Sequence, residues 1–279
     1  MIKNAFKNIL FCLKKNQYTF SPVFIIGCGR SGTTILGNTL SKHDKIKYLN
    51  ERRDLWHKAY PEFNIWQVET DAILFANEKK INPKKNDLLK NLLFQQQVLS
   101  NKKLLLEKLP INNFRLQFLD SSFKNAKYIY LTRNGLEVSH SINKKIKKNN
   151  WFTGKKYLLM NDFAKKQGHS FNPKTNLEKS MIEWRLSMEQ SHQFFKEIND
   201  KKYVHLSYED LITDSEIVIK KILDFLQLSY SSDFCKIITK NINRRNDPIK
   251  KTDNNSLIEI GGNFLMPTIN NTYNPNLVY

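Results

Sequence analysis

The chain has 279 residues, 40% of them hydrophobic and 12% aromatic, which is enough to bury a core without cross-links and too apolar for a disordered segment. Its 45 basic against 26 acidic residues give a net charge of +19, but arginine stands only at positions 30, 52, 53, 115, 133, 185, 244 and 245 and the rest of the excess is lysine. Lysine spread along the whole chain, rather than gathered on one face, argues against a nucleic-acid-binding module while still favouring anionic ligands.

The first 20 residues hold a short apolar run, Ile9–Leu13, set among Lys3, Lys7, Lys14 and Lys15. Five apolar residues fall far short of the ~20 that span a bilayer and are few for a secretory signal core. Residues 1–20 therefore read as an amphipathic lead-in helix, with membrane-surface contact the minority reading. Cys12, Cys28 and Cys235 are widely spaced and odd in number, matching neither a disulfide framework nor a metal cluster. That usage implies a reducing compartment, so a cytoplasmic protein without a metal centre is expected.

Val23–Ile26 has the continuous apolar character of a strand buried on both faces. Ile35, Leu36, Thr39 and Leu40 recur at helical spacing after it. Ile46–Leu49 and Leu104–Leu106 are further strands, and Ile111, Phe114 and Phe118 suit a connecting helix. Tyr128–Leu131 is the next strand, followed by a helix from about Leu136. Leu177, Met181, Trp184, Met188, Phe195 and Ile198 line one long helix. Tyr203–Leu206 is the fifth strand, and Val218, Ile222 and Phe225 mark the helix after it. Strands joined by helical crossovers define an α/β protein with a central parallel sheet of about five strands flanked by helices. No internal repeat or linker divides residues 21–279, so one domain is expected there. Two stretches, 56–100 and 148–176, are polar, basic and dotted with aromatics. Each reads equally as a cap over the ligand-binding edge or as ordinary surface helices.

The segment Gly27-Cys28-Gly29-Arg30-Ser31-Gly32-Thr33-Thr34 joins the first strand to a helix. Glycines in that position let backbone N–H groups curl round an anion at the positive end of a helix. The spacing is that of a P-loop, G-x-x-x-x-G-x-[ST], yet Thr33 stands where a P-loop has the lysine that reaches the β- and γ-phosphates. The missing lysine argues against an ATPase or small-molecule kinase, the main alternative, and Arg30 supplies a cation with fixed donors instead.

Arg30-Ser31-Gly32-Thr33-Thr34 resembles the 5′-phosphosulfate loop of sulfotransferases that use 3′-phosphoadenosine-5′-phosphosulfate (PAPS). Thr132-Arg133-Asn134-Gly135 at a strand end, with Ser141 eight residues after Arg133, resembles the same family's 3′-phosphate motif. Ligands of open α/β sheets bind at the strands' carboxyl ends, where Arg133 falls. The resemblance spans residues 20–250 and implies the P-loop-like sulfotransferase fold, with Gly29, Arg30, Ser31, Gly32, Thr33, Thr34, Arg133 and Ser141 holding PAPS as co-substrate. Tyr208-Glu209-Asp210-Leu211 resembles the segment after the family's fourth core strand, which implies an adenosine contact for Tyr208, with a buried strand-end tyrosine the equal alternative. Arg244 and Arg245, in Asn243–Asn246, match loosely the basic loop that closes over the nucleotide.

Asn50-Glu51-Arg52-Arg53 resembles the Glu-x-Arg of tyrosylprotein sulfotransferases, which implies Glu51 as the base that takes the acceptor's proton and Arg53 as holding that base or the acceptor. Glu107-Lys108-Leu109-Pro110 resembles the family's Lys-x-Pro loop and implies Lys108 at the leaving oxygen. His43, His57 and His140 are rival bases. The first and last are expected inside helices in structural roles, and His57 stays open. The acceptor is expected to be a hydroxyl of a carbohydrate, lipid or protein tyrosine, and a basic surface suits an anionic or glycan-like one.

Overall fold

A computed structural model of the chain describes residues 2–66, 71–148, 151–152, 154–240, 242 and 255–265. Helix α1 (Ile2–Lys14) leads into strand β1 (Val23–Ile26), and the glycine-containing loop then opens α2 (Thr33–Leu40). Strand β2 (Ile46–Asn50) is followed by α3 (Arg53–Ala59) and α4 (Pro83–Leu99). Strand β3 (Leu104–Lys108) precedes α5 (Leu116–Ser122), and β4 (Lys127–Thr132) precedes α6 (Gly135–Lys148), α7 (Lys156–Lys166) and α8 (Asn176–Glu197). After β5 (Tyr203–Ser207) come α9 (Tyr208–Thr213), α10 (Ser215–Phe225), α11 (Ser232–Thr239) and α12 (Asn255–Gly261).

The five strands form one sheet in the order β2-β3-β1-β4-β5, and every pairing is parallel. All five carboxyl ends therefore open on one edge. Alternation along the strands divides the core into two layers. Phe24 and Ile26 face a cluster with Leu105, Tyr128 and Tyr130 under the helices α3, α5 and α8. Val23 and Ile25 face the opposite cluster, with Leu106, Ile129 and Leu131 against α2, α10 and α11. Each sheet face is covered, which is why the strands read as unbroken apolar runs.

Two sequence expectations change. The helix expected through Ile111–Phe118 is split into a 3-10 turn at Pro110–Phe114 and the separate helix α5, because Pro110 can start a helical turn while the chain must change direction at Arg115. His43 lies in the turn after α2, not inside it. It is buried, with Nε2 3.1 Å from the Ser229 carbonyl, so the structural role expected of it holds in a different setting. His140 does lie within α6.

The aromatic stretches resolve into two kinds of position. Trp56, Tyr60 and Phe63 are buried and pack with Phe118 as part of the main core. Trp66, Trp151 and Phe152 are half-buried at the sheet's carboxyl edge. A capping box at Thr175 and Glu178 starts α8, which carries Trp184 to full burial behind the β4 carboxyl end.

Candidate active site

Each of the five strands delivers a side chain or loop to the shared edge. The loop after β1 turns through Arg30, at φ 74°, and Gly32, at φ 91°. Gly32 is required twice over: its backbone is left-handed, and a Cβ there would stand 2.4 Å from the Tyr208 ring. Gly27 N–H donates to Asn113 Oδ1 at 3.1 Å, and Ser31 N–H to the Cys28 carbonyl at 3.1 Å. These bonds hold the loop curled at the start of α2, where the helix's free N–H groups favour an anion.

One half of the site lies at the ends of β2 and β3. Lys108 is 1% exposed, and its Nζ donates to Glu51 Oε1 at 2.7 Å and to Thr34 Oγ1 at 2.9 Å. A single cation thus joins the glutamate after β2 to the phosphate loop after β1. Arg53 Nη2 donates to the other Glu51 oxygen at 2.9 Å, and its guanidinium stacks 3.6 Å over the Trp66 ring. Burial by itself would raise the Glu51 carboxyl, but the hydrogen bonds and charges of Lys108 and Arg53 outweigh it and hold the group below the ordinary glutamate value. Glu51 has φ 51°, a conformation that costs a non-glycine residue about 1–2 kcal/mol. Its N–H is fixed to the Lys108 carbonyl at 2.8 Å.

The other half lies at the ends of β4 and β5. Arg30 Nε donates to Ser141 Oγ at 3.1 Å, and Arg133 Nη1 donates to the Arg30 carbonyl at 3.0 Å. Arg133 also binds Glu137 through Nε and Nη2, and stacks 4.0 Å over the Tyr208 ring. Trp184 of α8 donates to the Arg133 carbonyl at 3.0 Å. Tyr208 is 3% exposed, caught between Gly32 and Arg133, so one of its faces is already occupied by a cation.

The structure thus brings Gly29, Arg30, Ser31, Gly32, Thr33, Thr34, Glu51, Arg53, Lys108, Arg133, Ser141 and Tyr208 to one edge. Arg244 and Arg245 lie outside the described residues. His57, on α3, lines a small pocket with Arg53, Trp66 and Arg115, and its Nδ1 has no hydrogen-bond partner among the described residues. Among the described residues no group of His, Cys, Asp and Glu is arranged to hold a metal ion.

The roles of several supporting residues escaped the sequence reading. Glu137 stands four residues after Arg133, a spacing at which opposite charges pair on a helix, so its signal was present. Glu107 is fully buried and accepts from Trp56 Nε1 at 3.1 Å and Asn112 Nδ2 at 3.0 Å. Burial pushes its carboxyl up to about 8. Arg115, one of the few arginines, is also fully buried and binds the carbonyls of Phe63 and Ile73, pinning the segment that carries Trp66. Trp151 lies on the phosphate loop, 2.9 Å from where a Gly29 Cβ would stand. It donates to Glu183, which pairs with the buried Lys156 at 2.7 Å. Partners separated by tens of residues leave no local pattern to find.

A parallel α/β sheet whose carboxyl edge joins a glycine-containing loop at a helix start to two groups of cations is a place suited to an anionic ligand. A family model described as "Sulfotransferase family" matches residues 22–232, and the chain belongs to the sulfotransferase family. Solved structures agree in fold. The sulfotransferase domain from the curacin biosynthetic pathway is 17% identical with a TM-score of 0.52, covering 92% of this chain and 99% of its own. The corresponding domain of the Synechococcus PCC 7002 olefin synthase is 18% identical, TM-score 0.54, over 88% and 95% of the two chains. Sulfotransferase STF9 from Mycobacterium avium is 12% identical, TM-score 0.55, over 92% and 80%. No curated protein matches the chain.

Proposed function

We propose that this sulfotransferase moves a sulfuryl group from PAPS to a hydroxyl of a carbohydrate, lipid or tyrosine acceptor by in-line displacement. The observation that carries the reading is a cationic centre on each flank of the loop after β1, Lys108 from β3 on one side and Arg133 with Ser141 and the loop's own Arg30 on the β4 side. One anion needs one such centre; a nucleotide with phosphates at both its 3′ and 5′ positions needs two. The donor set fits that ligand: backbone N–H groups at a helix start, two guanidiniums, an ammonium and hydroxyls.

The acceptor oxygen attacks sulfur, the bond from sulfur to the 5′-phosphate oxygen breaks, and the acceptor's proton passes to Glu51. The products are a sulfate ester and 3′-phosphoadenosine 5′-phosphate. Lys108 neutralises charge on the leaving oxygen. Its contact with Glu51 gives that step a partner: as Lys108 turns to the leaving oxygen, Glu51 loses its strongest counter-charge and becomes a better base. Arg53, braced on Trp66, keeps the carboxylate oriented. A P-loop kinase would instead use a lysine at position 33 and an acidic magnesium ligand at a strand end. This edge has Thr33 in place of that lysine, and its strand-end carboxylate, Glu51, is bound to Lys108 and Arg53.

Thermal melting with 3′-phosphoadenosine 5′-phosphate, ATP and AMP tests the donor assignment. The 3′-phosphorylated nucleotide should stabilise the protein selectively, and Arg133→Ala should remove that selectivity. An equal response to ATP overturns it.

A further inference from the structure

Helix α1 packs one side against α4, half-burying Phe11, and leaves the other bare. Phe11 packs edge-on against Phe94 of α4, centroids 5.6 Å apart, and Gln95 of α4 donates to Asn8 at 3.0 Å. Ile9 is 60% exposed and Leu13 72%. At 3.6 residues per turn these two lie about 40° apart on the helix and about 160° from Phe11. The other large apolar residues found exposed, Leu88, Leu158, Ile217 and Ile237, stand one to a helix, which is ordinary for a protein surface. Among the described residues only α1 presents two on one face.

The charges carried by the first 43 residues have a single sign. Lys7 and Lys15 are exposed and Lys14 is half-buried beside them. No Asp or Glu occurs before Asp44. A second copy of α1 brought against the first would set lysine against lysine, so self-association is disfavoured. Lys7 and Lys14 fall about 120° and 100° from Leu13 on the helix, so an apolar stripe with lysines along one flank, on a helix of 13 residues, instead matches an anionic bilayer surface. At about 1.5 Å per residue the helix is too short to cross the ~30 Å hydrocarbon layer, and such a helix lies in the plane of the headgroups. No helix among the described residues is long and apolar enough to cross a membrane.

We propose that α1 is an interfacial anchor that seats the protein on an anionic lipid surface through Ile9 and Leu13, with Lys7, Lys14 and Lys15 on the headgroups. The sequence alone ranks membrane contact second; the locking of Phe11 against Phe94, which turns Ile9 and Leu13 outward, reverses that order. The inference is independent of the nucleotide reading.

Flotation of the full chain with phosphatidylcholine vesicles, with and without roughly one-quarter phosphatidylglycerol, tests it. The protein should float with the anionic vesicles, at least about tenfold more tightly than with phosphatidylcholine alone, and less so as salt rises. The double variant Ile9→Asp, Leu13→Asp changes only exposed positions. It should weaken binding by at least about tenfold while keeping the wild-type melting temperature and nucleotide response. Cys12 is exposed whereas Cys28 and Cys235 are buried, so an environment-sensitive thiol dye placed on Cys12 should shift to the blue on the same vesicles. Equal flotation of wild type and double variant overturns the anchor, as does flotation by neither. Loss of self-association in the double variant, without any vesicle binding, would make the face a contact between copies instead.

Discussion

Glu51 is held by two cations at once, and the balance between them and burial sets its behaviour with pH. Its ion pairs to Lys108 and Arg53 contribute to stability above the ordinary carboxylate range, and that contribution is lost as pH falls through the lowered native value. The same shift keeps Glu51 ionised at neutral pH, as a proton acceptor must be. The acidic limb of the kcat/KM profile is therefore expected below the ~4.3 of an unperturbed glutamate. Arg53→Met should move that limb upward, since burial then meets only one opposing cation, and a limb that stays in place would detach it from Glu51. Glu51→Gln keeps the side chain's size and removes its proton affinity. It should leave the affinity for 3′-phosphoadenosine 5′-phosphate within about twofold while lowering turnover by roughly 100-fold or more. Retained turnover, measured with radiolabelled PAPS, would place the base elsewhere, with His57 the next residue to test.

At the scale of elements, the site depends on contacts between segments that close on the loop from three sides. Tyr208, the first residue of α9, fills the space beside Gly32, and α8 fixes the Arg133 carbonyl through Trp184. Trp151 lies on Gly29, tied to α8 through Glu183. Gly32→Ala should therefore be costly beyond its one methyl group. The left-handed backbone alone costs about 1–2 kcal/mol, and the displaced Tyr208 ring carries Arg133 with it. Thermal melting and nucleotide titration of this variant should show both a lower melting temperature and weaker nucleotide binding. A variant destabilised but binding normally would separate the loop from the Arg133 half of the site.

Across the whole molecule, parallel pairing makes the site. Because the order β2-β3-β1-β4-β5 runs one way throughout, residues from positions 27 to 208 meet on one edge although they are far apart in sequence. The stability of the protein should be linked to that edge: a nucleotide at 100 times its Kd stabilises the native state by about 2.7 kcal/mol. The net charge of +19 would add a long-range attraction for the proposed anionic nucleotide and, through α1, for the proposed anionic lipid surface. Salt weakens both, at different sites on the molecule.

The local signals in the sequence determined the strands, the phosphate loop and the class of chemistry. Fully buried strands are unbroken apolar runs, a curled loop needs glycine at Gly32, and an arginine-poor chain makes Arg30 and Arg133 conspicuous. Those features arise from neighbours along the chain, so they are legible there. Tertiary structure alone decided which groups touch. Lys108 joins Glu51 to Thr34, Tyr208 stands between Gly32 and Arg133, and Glu107 and Arg115 are buried beneath the site because the folded sheet brings distant segments together. It also split the helix after Pro110 and turned Ile9 and Leu13 outward by seating Phe11 on Phe94. Periodicity shows that a helix has an apolar side; only its packing shows which apolar residues remain uncovered.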